Sequence, residues 1–268
     1  MKSNFTMLYF IIPLIAGLLL YFLIFRPKST KSIKENPEWH ETLEKHISFY
    51  KKLNVEEKTT FRKRMNAFLQ EVYIDAVDFE LEEIDKIFVA ASAVIPVFRF
   101  TEWSYNNLSG IIIYPDNFNE DLGFKDHDEA RMIGGLVGTG RFEKQMILSR
   151  TALHHGFKND TDKHNTGIHE FVHLLDKVDG QVNGLPEAFL EQSYIIPWMN
   201  LMYKEMEAID KDESDIRSYG ATNQAEFFAV ASEYFFSRPD LMKRKHPEIY
   251  QMLELCFNPQ MKKGNFQK

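Results

Sequence analysis

The chain has 268 residues, 32 basic against 39 acidic, with one cysteine and a 44 % hydrophobic content. That length fits one domain of ordinary size with a substantial core. The net charge of −7 argues against a nucleic-acid partner, which calls for a basic face, and a lone Cys256 permits no internal disulfide and so gives no sign of an oxidising compartment.

Residues 5–25 are apolar and uncharged, long enough for a helix to cross a hydrocarbon core of about 30 Å. A cleaved signal peptide would carry a shorter apolar stretch and small residues at its end; here Arg26, Pro27 and Lys28 follow directly. The expectation is an uncleaved, single-pass anchor. Only Lys2 precedes the segment, while Arg26, Lys28, Lys31 and Lys34 follow it, so the positive-inside rule puts the rest of the chain on the cytoplasmic side of the inner membrane. Residues 1–30 read as the membrane anchor and residues 31–268 as one domain, joined by a short polar linker.

From Pro37 to about residue 76, Trp39, Leu43, Ile47, Tyr50, Phe61, Met65, Phe68 and Val72 recur at helical spacing, with Asn54 punctuating the run. Residues 81–94 read as a further helix that Pro96 ends. Short β-rich runs follow at 97–100, 111–114, 132–137 and 142–148, and Gly138-Thr139-Gly140 reads as the turn of a hairpin between the last two. His154, His155 and His164 fall in a polar stretch and are expected to be solvated loop histidines.

Then comes His169-Glu170-Phe171-Val172-His173. On a helix, residues four apart share a face, so both imidazoles can reach one metal ion with Glu170 beside them. Neutral imidazoles suit Zn²⁺, and a neighbouring carboxylate can collect a proton from water and hand it to a leaving amine. Ile168, Phe171, Val172, Leu174 and Leu175 predict that this helix is buried. A third ligand is then needed. The pattern that ends in a third histidine would require Gly at 176 and His at 179, where this chain has Asp176 and Asp179. A helical stretch opens at Pro186, is kinked or divided by Pro197, and reaches Ile209. The next helix, capped by Thr222 or Asn223, carries Glu226 and Glu233 on one face, seven residues apart. A Glu from this second helix suits the third position, and Glu226 sits in its first turn.

The pairing of His169–Asp176 with the run from Ser218 to Phe236 resembles the Mlc titration factor A family of bacterial zinc peptidases and, more distantly, the protease domain of anthrax lethal factor. The resemblance implies an α+β, zincin-like fold of the Glu-zincin type. It implies one Zn²⁺ on His169, His173 and Glu226, with Glu170 as general base and Tyr219 as donor to the developing oxyanion. The strand ending Met146-Ile147-Leu148-Ser149 would be the sheet edge on which an extended peptide pairs. Glu233 is either a partner orienting a ligand histidine or a polar residue at a helix edge, and Asp176 is expected on the helix surface. The function expected is membrane-anchored hydrolysis of peptide or protein substrates. The alternative is a membrane-held protein that sequesters a transcriptional regulator with little or no catalysis, since the family is named for binding a repressor.

Overall fold

Helix α1 (Trp39–His46), a single turn α2 (Ser48–Lys51) and α3 (Val55–Glu71) open the folded part of the chain. The long helical run expected from the sequence breaks where Asn54 caps α3 with a reciprocal box: Asn54 Oδ1 accepts the Glu57 N–H at 2.9 Å and Glu57 Oε2 accepts the Asn54 N–H at 3.0 Å. The computed structural model describes residues 36–118, 134–138, 143–159 and 161–260, all within one compact unit, 35–268. The expected anchor at 5–25 lies outside the described residues, and among those described no helix is long and apolar enough to cross a membrane.

Helix α3 stops at Glu71, and beyond Val72 the residues expected to prolong it form strand β1 (Tyr73–Ala76). Helix α4 (Glu83–Val97) runs through the middle of the molecule, every residue from Ile87 to Phe98 being buried. The run 97–100, expected as a strand, is instead the end of this helix and the turn after it. Arg64 of α3 explains the difference, because its guanidinium donates to the carbonyls of Val97, Phe98, Phe100 and Thr101 at 2.6 to 3.1 Å. The Val97 and Phe98 carbonyls close the helix end and those of Phe100 and Thr101 belong to the turn after it, and Pro96 sits in the last turn, where its missing N–H removes a single bond.

Strands β2 (Gly110–Tyr114), β3 (Gly135–Val137) and β4 (Gln145–Ser149) complete a four-stranded sheet of order β1-β2-β4-β3. β1, β2 and β4 are parallel, whereas β3 runs antiparallel to β4 with Leu136 opposite Ile147. The β3–β4 pairing is the predicted hairpin; residues 139–142 of its turn lie outside the described residues. One expectation changes. Among the described residues β4 is interior, paired on both sides, and β3 is the outer strand.

Helix α5 (Arg150–His155) and helix α6 (Thr166–Asp176) follow, the latter continued by a 3-10 turn over Lys177–Asp179. Phe171 drives α6 into the core, meeting Phe68 and Tyr105 with ring centroids 5.6 and 5.2 Å apart; such pairs contribute about 0.5–1.5 kcal/mol each beyond their burial. Helix α7 (Gln192–Asp210) is continuous through Pro197, which falls in its second turn, and the lost bond would have gone to exposed Ser193. A 3-10 turn (Ser218–Ala221) leads to α8 (Gln224–Ser237), packed along α6, and α9 (Pro239–Lys245) and α10 (Pro247–Phe257) close the chain. The layers are a mixed sheet with helices grouped against it, an α+β arrangement.

Candidate metal centre

Two packed helices, α6 and α8, bring the predicted residues together. Asn165 starts α6: its Oδ1 accepts the Ile168 N–H at 3.0 Å and its own N–H donates to Glu233 Oε2 at 2.7 Å. Asn223 starts α8 the same way, accepting the Glu226 N–H at 3.0 Å, which fixes Glu226 in the first turn facing the two histidines.

His169 Nε2 lies 3.0 Å from His173 Nε2 and 3.1 Å from Glu226 Oε2, and His173 Nε2 lies 3.5 Å from that same oxygen. These three atoms form the one group of metal-type ligands found among the described residues. Donors held tetrahedrally at about 2.0–2.1 Å from an ion stand about 3.3 Å apart, so the spacing matches a shared cation. The chemistry of the donor set agrees. Glu226 Oε2 is buried yet makes no hydrogen bond, as expected of a lone pair aimed at a common point. Burial opposes its ionisation, but the two imidazoles beside it hold the carboxyl well below the usual range. These three residues therefore fit a metal ion.

Around them the polar groups are ordered outward. Glu233, fully buried two turns beyond Glu226 on α8, has Oε1 2.6 Å from His169 Nδ1. Of its two sequence readings the orienting one holds. Asp176, expected on the surface, is buried and accepts the Gly184 N–H at 2.8 Å; burial pushes its carboxyl up to about 6, against the hydrogen bonds it accepts. Trp198 Nε1 donates to the Gly184 carbonyl at 2.7 Å, so the loop after α6 is tied at both of that residue's polar groups.

A cleft of about 860 Å³ opens over these three residues, lined among others by Gly135, Leu136 and Val137 of β3, Glu170, Lys177, Arg217 and Tyr219. Glu170 is buried against β3, its desolvation raising the carboxyl above its ordinary range. A Cβ added at Gly135 would stand 2.5 Å from Glu170 Cγ, so the close approach of β3 to this carboxylate requires glycine. The Tyr219 ring lies 5.9 Å from that of His169, centroid to centroid.

Residues 25–258 match the glucose-regulated metallo-peptidase M90 family. The chain belongs to this family. Relatives of this M90 chain include Mlc titration factor A of Escherichia fergusonii, 29 % identical over 81 % of this chain and 84 % of that one. Mlc titration factor A of Salmonella schwarzengrund is 27 % identical over 84 % of this chain and 88 % of its own length. An uncharacterised protein of Synechocystis is 28 % identical over 83 % and 85 % respectively.

Not all that surrounds the M90 site was foreseen. The histidines expected in a loop separate: His154 and His155 end helix α5, where His155 is exposed but His154 Nε2 lies 2.6 Å from fully buried Asp85, which also accepts Arg150 Nε at 2.8 Å. His164 reaches the cleft wall. Arg217 and Gly135 carry no local pattern that marks them. Their roles depend on which element they face, and only the packing of α8 and β3 against α6 decides that.

Proposed function

We propose that the chain is a zinc-dependent peptidase of zincin-like fold and Glu-zincin type, using His169, His173 and Glu226 as ligands, Glu170 as general base and Tyr219 as oxyanion donor. The observation that carries this reading is the convergence of His169 Nε2, His173 Nε2 and Glu226 Oε2 within 3.5 Å at the floor of a cleft that also holds Glu170. When bound there, a divalent ion supplies Lewis acidity that polarises a substrate carbonyl and eases the deprotonation of water.

The chain's own residues do the rest. An extended peptide pairs with the outer edge of β3, since an unpaired strand edge captures peptide backbone by main-chain hydrogen bonds. Glu170 takes the proton of the attacking water as its oxygen bonds the carbonyl carbon, then gives it to the amine nitrogen as the C–N bond breaks. The Tyr219 hydroxyl donates to the carbonyl oxygen as charge develops on it. Glu233 accepts from His169 Nδ1–H and so fixes which nitrogen faces the cleft.

The deciding experiment compares the wild type with Glu170→Gln for zinc content and hydrolysis of unstructured peptides. About one zinc per chain in both, with turnover only in the wild type, is the expected result. Absence of zinc from both refutes the centre itself. Sequestration of a transcriptional regulator is the second reading, favoured by the titration-factor name of two relatives. It predicts that Glu170→Gln retains regulator binding. Anchoring by residues 5–25 with the domain on the cytoplasmic side belongs to the same proposal and rests on the basic residues after that segment. Protease added outside spheroplasts should leave the domain intact.

A further inference from the structure

Arg217 lies two residues before Tyr219, at the start of the 3-10 turn Ser218–Ala221. Its Nη2 donates to Glu233 Oε1 at 2.7 Å, the oxygen that also meets His169 Nδ1 at 2.6 Å. Its guanidinium carbon stands 5.3 Å from the centroid of the Tyr219 ring, within reach of a cation–π contact. Tyr219 in turn faces His169. The four side chains close a circuit: Glu233 to His169, His169 to Tyr219, Tyr219 to Arg217, and Arg217 back to Glu233.

From this circuit we infer that Arg217 is a positioning residue, which sets the Tyr219 phenol over the ligand histidine by tying the 3-10 turn to buried Glu233. The inference rests on the peptidase reading for the task of the phenol, though not for its placement. Glu233 emerges from α8, the helix that also bears Glu226, so Arg217 references the phenol to the same rigid element as a metal ligand. The guanidinium ties the start of the turn to that carboxylate. A guanidinium can hold a carboxylate through its edge while its face covers a ring; an ammonium offers neither a face nor a fork. His164 completes the seat, with its Nε2 3.2 Å from Arg217 Nη1. Burial lowers the His164 imidazole, which keeps that nitrogen available as an acceptor for the arginine. Arg217 touches no reacting atom. It acts through Tyr219.

The test uses the full chain in detergent, metal-loaded and labelled with 3-fluorotyrosine, the Tyr219 fluorine signal being identified by its loss in Tyr219→Phe. Arg217→Gln and Arg217→Lys should both move that signal toward the shift of an exposed tyrosine. Chelator competition should show zinc affinity within about threefold of wild type, in contrast to the roughly 10–100-fold loss expected on removing a carboxylate that orients a ligand histidine. On an unstructured peptide, kcat should fall by about 10²-fold, the scale of one lost oxyanion donor, with little change in KM. The double variant Arg217→Lys/Tyr219→Phe should be no slower than Tyr219→Phe alone, because coupled residues are non-additive. Arg217→Lys preserves the positive charge beside Glu233, which guards against an outcome set by misfolding. An unmoved fluorine signal in both variants, or losses that multiply in the double variant, overturns the inference. Should the wild type turn over no peptide, the peptidase reading fails while the fluorine signal still decides the placement of Tyr219.

Discussion

Glu170 and Glu233 are both buried carboxylates beside His169, yet their surroundings give them different work. Glu170 has its side chain pressed against the glycine backbone of β3, whereas Glu233 is held by His169, Arg217 and the Asn165 N–H. Glu170→Gln keeps the shape of the side chain and removes the base. It should retain zinc while kcat falls by about 10²–10⁴-fold, measured by steady-state hydrolysis of an unstructured peptide. Glu233→Gln should do the reverse, weakening zinc by about 10–100-fold in a chelator titration. Gly135→Ala probes the same carboxylate from the opposite wall: the added methyl meets Glu170 at 2.5 Å, so turnover should drop with zinc content unchanged.

Among the elements, the junction of the loop after α6 with the start of α8 controls where Glu226 points. Gly184 has a left-handed φ of +71°, and a Cβ there would stand 2.2 Å from the Gln224 carbonyl oxygen, two residues before Glu226. Gly184→Ala should lower stability by at least about 1–3 kcal/mol from backbone strain alone, seen as a lower melting temperature. It should also weaken zinc, because the clash displaces the first turn of α8. Much of this level was legible in the sequence. The spacing of His169, His173, Glu226 and Glu233, with Thr222 or Asn223 as the cap of the second helix, places two helices and their inward faces before any coordinate is known; the cap at Asn165 emerges only in the structure. Residues whose roles come from distant partners were not legible. Val97 and Phe98 read as strand because burial alone looks the same in either conformation, and Arg64, more than thirty residues earlier, decides the outcome. The resemblance implied that β4 is the sheet edge; its hairpin with β3 was foreseen, but the parallel pairing with β2 that makes it interior joins distant segments and has no local signal.

Across the whole molecule, the far side of α8 is closed by a charge cluster that sets the dependence of stability on pH. His246 lies between Glu205, 3.0 Å from Nδ1, and Asp215, 2.6 Å from Nε2. Both ring nitrogens donate only in the imidazolium. Burial alone would lower this imidazole, but the two carboxylates raise it above 6.5. Its contribution is therefore complete below pH 6.5 and disappears as pH rises through the raised value. Asp215 also takes Lys163, Lys245 and the Tyr234 hydroxyl. Burial opposes its ionisation, yet Lys163, Lys245 and His246 hold it below the ordinary 3.8, so its contribution is present above that pH and is lost as pH falls. Melting temperature should plateau between these limits, and His246→Asn should flatten the alkaline decline while leaving the acid limb in place.

The outer strand β3 spans three described residues, and an extended chain advances about 3.3 Å per residue. A partner lying along it therefore needs roughly 10 Å of backbone with its own N–H and C=O groups free of any other pairing. A folded domain has committed most of those groups within its helices and sheets, leaving edge strands and loops. On the peptidase reading, the cleft would select for free backbone before any side chain is read: tails, hinges and loops offer it, and surfaces whose backbone is already paired do not.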